Sequence, residues 1–444
     1  MGQLYESRHQ LPEAARLYLT YIRQAPFDHM GYERLFQIAD QLGETNHRFV
    51  TQAATILMLL DPRRARALFE DLQIEPLSWA SKYWMTHTDP IDDKTHQEQI
   101  VHEGERASGA LAQKWLSQLI TDPRSTSDIE LHCQRLTIQS HEDLITHLSS
   151  VAQMLSLAQP RVYLSHGMSG VQVMGDKHTP FILMGAIHLD EHNPQSLSSR
   201  ELVFALSSQI EHIKAGHLML TSSEFWSAFR SRSLDGLVTA LSLIPIGGML
   251  GKVTDKFAGS LLGKLRTGWD NAMVKQLASV AEKSLKDGTG GHVQGAYEAT
   301  LGRVATLGKT KVTQESLLKE QLADFARCAM YTADRVGLIA CDDLNAAVSA
   351  ILRLSTRTHE HVQTLHDEGL TSLLEQKDAR GELVYVELAL RLGELFKFAL
   401  SDEYLNLRKH LHGAPPQMMN DPEDQTPLDE ADPLAEHDDR REDQ

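Results

Sequence analysis

The chain has 444 residues, 41% hydrophobic and 23% charged, enough to bury a sizeable core over two or three domains. Its formal net charge of -17 argues against a nucleic-acid partner. Eleven acids against two arginines from Asp421 to Gln444 carry -9 of that charge, which leaves -8 on the other 420 residues. The three cysteines, Cys133, Cys328 and Cys341, are odd in number and spaced for neither a disulfide framework nor a zinc knuckle. They fit a reducing compartment. The first nine residues are polar and lack an apolar signal core, so a cytoplasmic protein is expected.

Residues 1–120 are predicted to form an all-helical domain. Apolar and aromatic residues recur at helical spacing from Leu11 to Ile22 (Ala14, Leu17, Tyr18, Tyr21) and again from His47 to Leu60. Each run meets a proline, Pro26 and Pro62, which cannot continue a helix. That period of 36 residues, with a third unit ending near Pro90, resembles tetratricopeptide helical hairpins. A plain helical domain is the alternative. Stacked hairpins of this type offer a concave surface to a protein partner.

Residues 121–412 are predicted to form a second domain, mostly helical with a small sheet, an α+β class. A helix is expected over about 125–160 on the stripe Leu131, Leu136, Leu144, Leu148, Val151 and Leu155. Three short β-rich runs follow: Arg161–Ser165, Gly170–Met174, and Pro180 to Leu189. A helix is then expected from Ser199 to Leu220, capped by Ser198 or Ser199 with Glu201 in its first turn. Residues 221–320 are a helical insertion, with helices expected at about 268–286 and 292–306. Further helices are expected at about 313–341, 343–356 and 382–411. The segment 413–444, acidic and proline-rich, has too few apolar side chains to order itself.

The stretch Ser208-Gln209-Ile210-Glu211-His212 has the frame of H-E-x-x-H, in which two histidines one turn apart hold zinc and the glutamate activates water. The surrounding residues extend the likeness. Phe181–Leu189 precedes a linker, Ser196–Leu202, that leads into the helix, which continues His212-Ile-Lys-Ala-Gly-His217. After the insertion comes Met330-Tyr-Thr-Ala-Asp-Arg-Val-Gly337. In this order and spacing, residues 160–360 resemble the M48 family of metallopeptidases, whose second motif is E-x-x-A-D-R-x-G. The resemblance implies a zincin-like fold. It also implies that Ser208 stands at the first histidine, Gln209 at the general base and Met330 at the third ligand. His212 is then the residual ligand, and Asp334 matches the second motif's aspartate.

A serine hydroxyl is a poor zinc ligand, a glutamine amide cannot take a proton from bound water, and a thioether is too soft for zinc. These replacements predict a pseudopeptidase, with no cofactor, that acts through binding. Its partner would be a protein, held by the N-terminal hairpins and by the former cleft between strand 181–189 and helix 201–217, through strand addition. The alternative is a metalloendopeptidase with a rebuilt zinc site. For that, His188 and His192 are candidates to approach His212, whereas His217, five residues on, points elsewhere on a continuing helix. Glu211 is read as a polar residue near the cleft.

The run Gly236–Leu250 is the most apolar in the chain but too short to span a bilayer. A buried hairpin is the first reading. Its continuation carries Lys252, Lys256 and Lys264, so peripheral membrane contact through 234–265 is a third functional class. Gly288–Gly295 lacks the lysine of a phosphate loop, and Ser165-His166 lacks the setting of a serine nucleophile.

Overall fold

The computed structural model describes residues 2–38, 47–71, 89–107, 129, 132–175, 179–217, 314–355 and 358–412. The apolar run 234–250 and its continuation to 265, the helices expected at 268–286 and 292–306, the glycine-rich stretch and the acidic tail lie outside these residues. So do most of the third repeat unit and the start of the helix expected at 125–160.

The N-terminal helices follow the apolar periodicity. They are α1 (Gly2–Glu6), α2 (Leu11–Gln24), α3 (His29–Gln37), α4 (His47–Leu60) and α5 (Pro62–Asp71). Pro62 ends α4 and also opens α5, where a missing N–H costs nothing. The Asp61 carboxylate caps α5 by accepting from the Arg64 N–H. Tyr18, Ile22, Tyr32, Leu35, Ile56 and Leu57 are buried. Their core is continuous with that of the rest of the described chain.

Next in the chain come α6 (Glu142–Met154), α7 (Ser199–Lys214), α8 (Gln314–Cys341), α9 (Leu344–Arg353), α10 (Val362–Leu374), α11 (Val386–Ala399) and α12 (Asp402–His412). Helices α4 and α5 pack on α10, and α4 also meets α9. The α7–α8 pair is the most extensive helix contact among the described residues. None of the described helices is long and apolar enough to cross a membrane.

The small sheet is mixed. Strands β1 (Gln134–Arg135), β2 (Arg161–Ser165), β3 (Val171–Met174) and β4 (Phe181–Gly185) lie in the order β1-β2-β4-β3. The β3–β4 hairpin is antiparallel, β2 runs parallel to β4, and β1 is antiparallel to β2. Side chains alternate across the sheet. Val162, Leu164, Ile182 and Met184 face the main core, while Tyr163, Phe181, Leu183 and Met174 form a second cluster with Ile129.

Four sequence expectations are corrected. The helix expected at 125–160 is interrupted: Ile129 and His132 are helical, and the helix resumes only at Glu142, to end at Met154. Before it, Gln134–Arg135 is a strand, and the bonds from Ser140 to the Thr137 backbone make a turn. The helix expected at 382–411 breaks at Leu400–Ser401 into α11 and α12. Helix α10 had not been anticipated. Finally, β4 is an inner strand, paired on both sides and buried throughout, so it offers no edge for strand addition. Among the described strands, β3 is the outer one on that side of the sheet.

Candidate functional site

Helix α7 begins with a capping box. Ser198 accepts from the Glu201 N–H, and the Glu201 carboxylate accepts from the Ser198 N–H. Its other end is a Schellman turn. Gly216 takes φ +73, its N–H reaches the Ile213 carbonyl, and the His217 N–H reaches the His212 carbonyl at 2.8 Å. The turn folds His217 back over the helix, so the rings of His212 and His217 lie 5.9 Å apart. The divergence expected of the two histidines rested on a helix running past 217, and the helix stops at Lys214.

Helix α8 crosses α7 in antiparallel register. A side chain on Gly337 would come within 2.5 Å of Ser208 Oγ and 2.8 Å of the Phe204 ring, so the glycine permits the close approach. Further along the pair, the His217 ring meets Phe325 at 5.2 Å. These two contacts put His212 level with the stretch Met330–Asp334. The glycine of the second motif therefore lies against the first position of the other motif.

Two of the side chains at the motif positions, Ser208 and Asp334, are committed to other partners. Ser208 is buried and its hydroxyl donates to the Phe204 carbonyl at 2.9 Å. Gln209 and Met330 are half-buried. Asp334 is buried and accepts two hydrogen bonds from the Arg391 guanidinium, at 2.6 and 2.7 Å. Burial pushes the Asp334 carboxyl upward and Arg391 opposes that rise. His212 is held well below its ordinary value by burial, then by His217 and Arg391.

The zinc that the resemblance implies does not fit these residues. Ser208 supplies a hydroxyl already bonded within its own helix, and Met330 supplies a thioether. Among the described residues no three His, Cys, Asp or Glu side chains converge as metal ligands do. His188 does not join His212. Its Nε2 accepts from the Gly170 N–H and its Nδ1 bonds the Gln195 carbonyl, while His192 is exposed.

Segment 89–107 closes over this place, which was not foreseen. His96 bonds Glu211 at 3.0 Å with both side chains buried, so Glu211 belongs to an internal pair. Thr332 accepts from the His102 N–H and donates to Glu105. Glu105 lies 3.4 Å from His217 Nε2. Burial raises Glu105 to about 7, against the Thr332 hydrogen bond and with help from Glu211. Burial lowers His217 to about 4. Among the described residues, several polar atoms here find no hydrogen-bond partner: Glu211 Oε1, His212 Nδ1 and both nitrogens of His217. Such groups cost about 1–3 kcal/mol each when left unmade.

No sequence motif marks this segment, because its contacts are distant in sequence, as in His96–Glu211 across 115 residues and His102–Glu394 across 292. Arg391 had a local signal, a lone arginine in the apolar run Val386–Ala399. Lys-Ala-Gly before His217 was a legible stop signal for α7. No family model matches the chain, and no curated protein or solved structure matches it.

Proposed function

We propose that this chain is a degenerate, zincin-like member of the M48 type, with tetratricopeptide-like hairpins at its N-terminus. In this reading it works in the cytoplasm as a binding, scaffolding or regulatory partner of other proteins, without hydrolysis. One observation carries the reading. Two sequence motifs separated by more than a hundred residues meet as a helix pair, with Gly337 on Ser208 and Asp334 fixed to Arg391. A working peptidase needs histidine, glutamate and a carboxylate at positions 208, 209 and 330, and a hydroxyl, an amide and a thioether stand there.

The test restores what is missing. The variant Ser208→His/Gln209→Glu/Met330→Glu is expected to hold one equivalent of zinc by elemental analysis, while the wild-type chain holds none. A folded triple variant that binds no zinc sinks the M48 reading.

The rival reading, a metallopeptidase with a rebuilt site, has the returned His217 in its favour, beside His212 and Glu105. Zinc in the wild-type protein that is lost on His212→Ala, with chelator-sensitive cleavage of a protein substrate, would establish it. The membrane-surface reading rests on residues outside the described ones and is tested by flotation with anionic liposomes.

A further inference from the structure

Segment 89–107 lies across α7 and α8 where, in the function proposed above, a partner's peptide would reach His212. It is tied down largely by side chains. The Ile91 N–H reaches the Met154 carbonyl at 2.9 Å, and Asp93 pairs with Lys214 at 3.2 Å. His96 meets Glu211, and Arg335 donates to the Ile100 carbonyl at 3.1 Å. His102 pairs with Glu394 at 3.3 Å, and Glu105 faces Thr332 and His217. Ile91, Ile100 and Val101 are its apolar anchors.

The seal is imperfect where it matters. The segment touches Glu211 and His217, and the His212 ring lies next to the latter at 5.9 Å; all three side chains carry unpartnered atoms. A peptide backbone carries the N–H and C=O groups that such atoms lack. The fit at Gly104 is close, since a Cβ there would stand 2.5 Å from Cys328 Sγ on α8.

We infer that residues 89–107 form an internal strap occupying the former peptide groove, and that an extended partner segment reaches His212 only when the strap swings away. This rests on the binding function proposed above. The strap's motion, however, is measured without any partner.

The test uses the full-length chain and a reversible lock. Gly104→Cys places a second thiol against Cys328, near enough to form a disulfide once the Cys328 side chain shifts slightly. Diethylpyrocarbonate modification of His212 and His217, mapped by mass spectrometry, reads access to the groove. The oxidised lock is expected to slow their modification about tenfold, and reduction to restore it, because local opening precedes reaction. A second variant, Gly104→Val, wedges the strap and is expected to speed both His212 modification and Cys328 alkylation. Cys341 and His147, buried elsewhere, are the controls and stay unchanged. An oxidised lock without effect on His212 overturns the strap. Controls that rise in step with His212 also overturn it, since opening would then be global. Zinc uptake by the triple variant tests the M48 frame separately, so failure of one reading is distinguishable from failure of the other.

Discussion

Glu105 is a buried carboxyl whose proton is held up to about 7, against an ordinary value of 4.5. Between those values the folded chain keeps a proton that the unfolded chain has lost. Its contribution is therefore full below pH 4.5 and is lost as pH rises through about 7, on the order of 3 kcal/mol in all. His217 acts in the opposite sense. It stays neutral when folded down to about 4, so its share is lost as pH falls from 6.5 toward 4. Glu105→Gln keeps an acceptor for the Thr332 hydroxyl while removing the titrating proton. Because His217 titrates in both proteins, the comparison is the difference between them: urea midpoints measured from pH 5 to 8 are expected to fall for wild type relative to the variant between pH 5 and about 7, and the difference is expected to level off above that. A variant that declines equally would show that Glu105 is not the titrating group. At this scale the sequence displayed the positions on which the M48 reading rests, Ser208, Gln209 and Met330, because spacing within each of two helices is local information. The pairs His96–Glu211, Thr332–Glu105 and Asp334–Arg391 were illegible, because only the folded chain brings their members together.

The α7–α8 pair owes its closeness to Gly337. Gly337→Ala adds helix propensity worth about 1 kcal/mol but drives a methyl into Ser208 Oγ and the Phe204 ring. Overpacking of this kind costs about 1–3 kcal/mol, so a net loss is expected in thermal unfolding. Ser208→Ala removes the nearest atom, and the double variant is expected to recover part of the loss. Strictly additive losses would show that the two residues do not share a contact. The α7 stop makes a second prediction. Gly216→Ala forces a Cβ into φ +73 and is expected to cost about 1 kcal/mol, while releasing His217 toward its ordinary titration in NMR. An unchanged His217 titration would remove the turn from its role. Element types were legible where periodicity ran long, as in α2, α4, α7 and α8. They were missed where an element was short or set by a neighbour. Strand β1 has two residues and exists by pairing with β2, and the inner place of β4 depends on strand order, which alternation does not encode.

At the scale of the whole molecule, the N-terminal helices do not stand apart from the C-terminal ones. Helices α4 and α5 lie on α10, Phe27 meets Phe396 of α11 at 6.1 Å, and one apolar core runs through all of them. Composition could not reveal this, since amphipathic stripes tell which face is covered and not by what. The consequence is shared stability. Ile56, fully buried in α4, is a place to test it. Ile56→Ala removes buried methylenes and leaves a cavity, at a cost of about 2–5 kcal/mol. If the core is one cooperative unit, amides in α10 and α11 lose hydrogen-exchange protection by the same free energy as those in α4, although more than 300 residues separate them in sequence. Protection lost in α2 to α5 alone would instead make the N-terminal hairpins an independent unit, free to move when a partner binds.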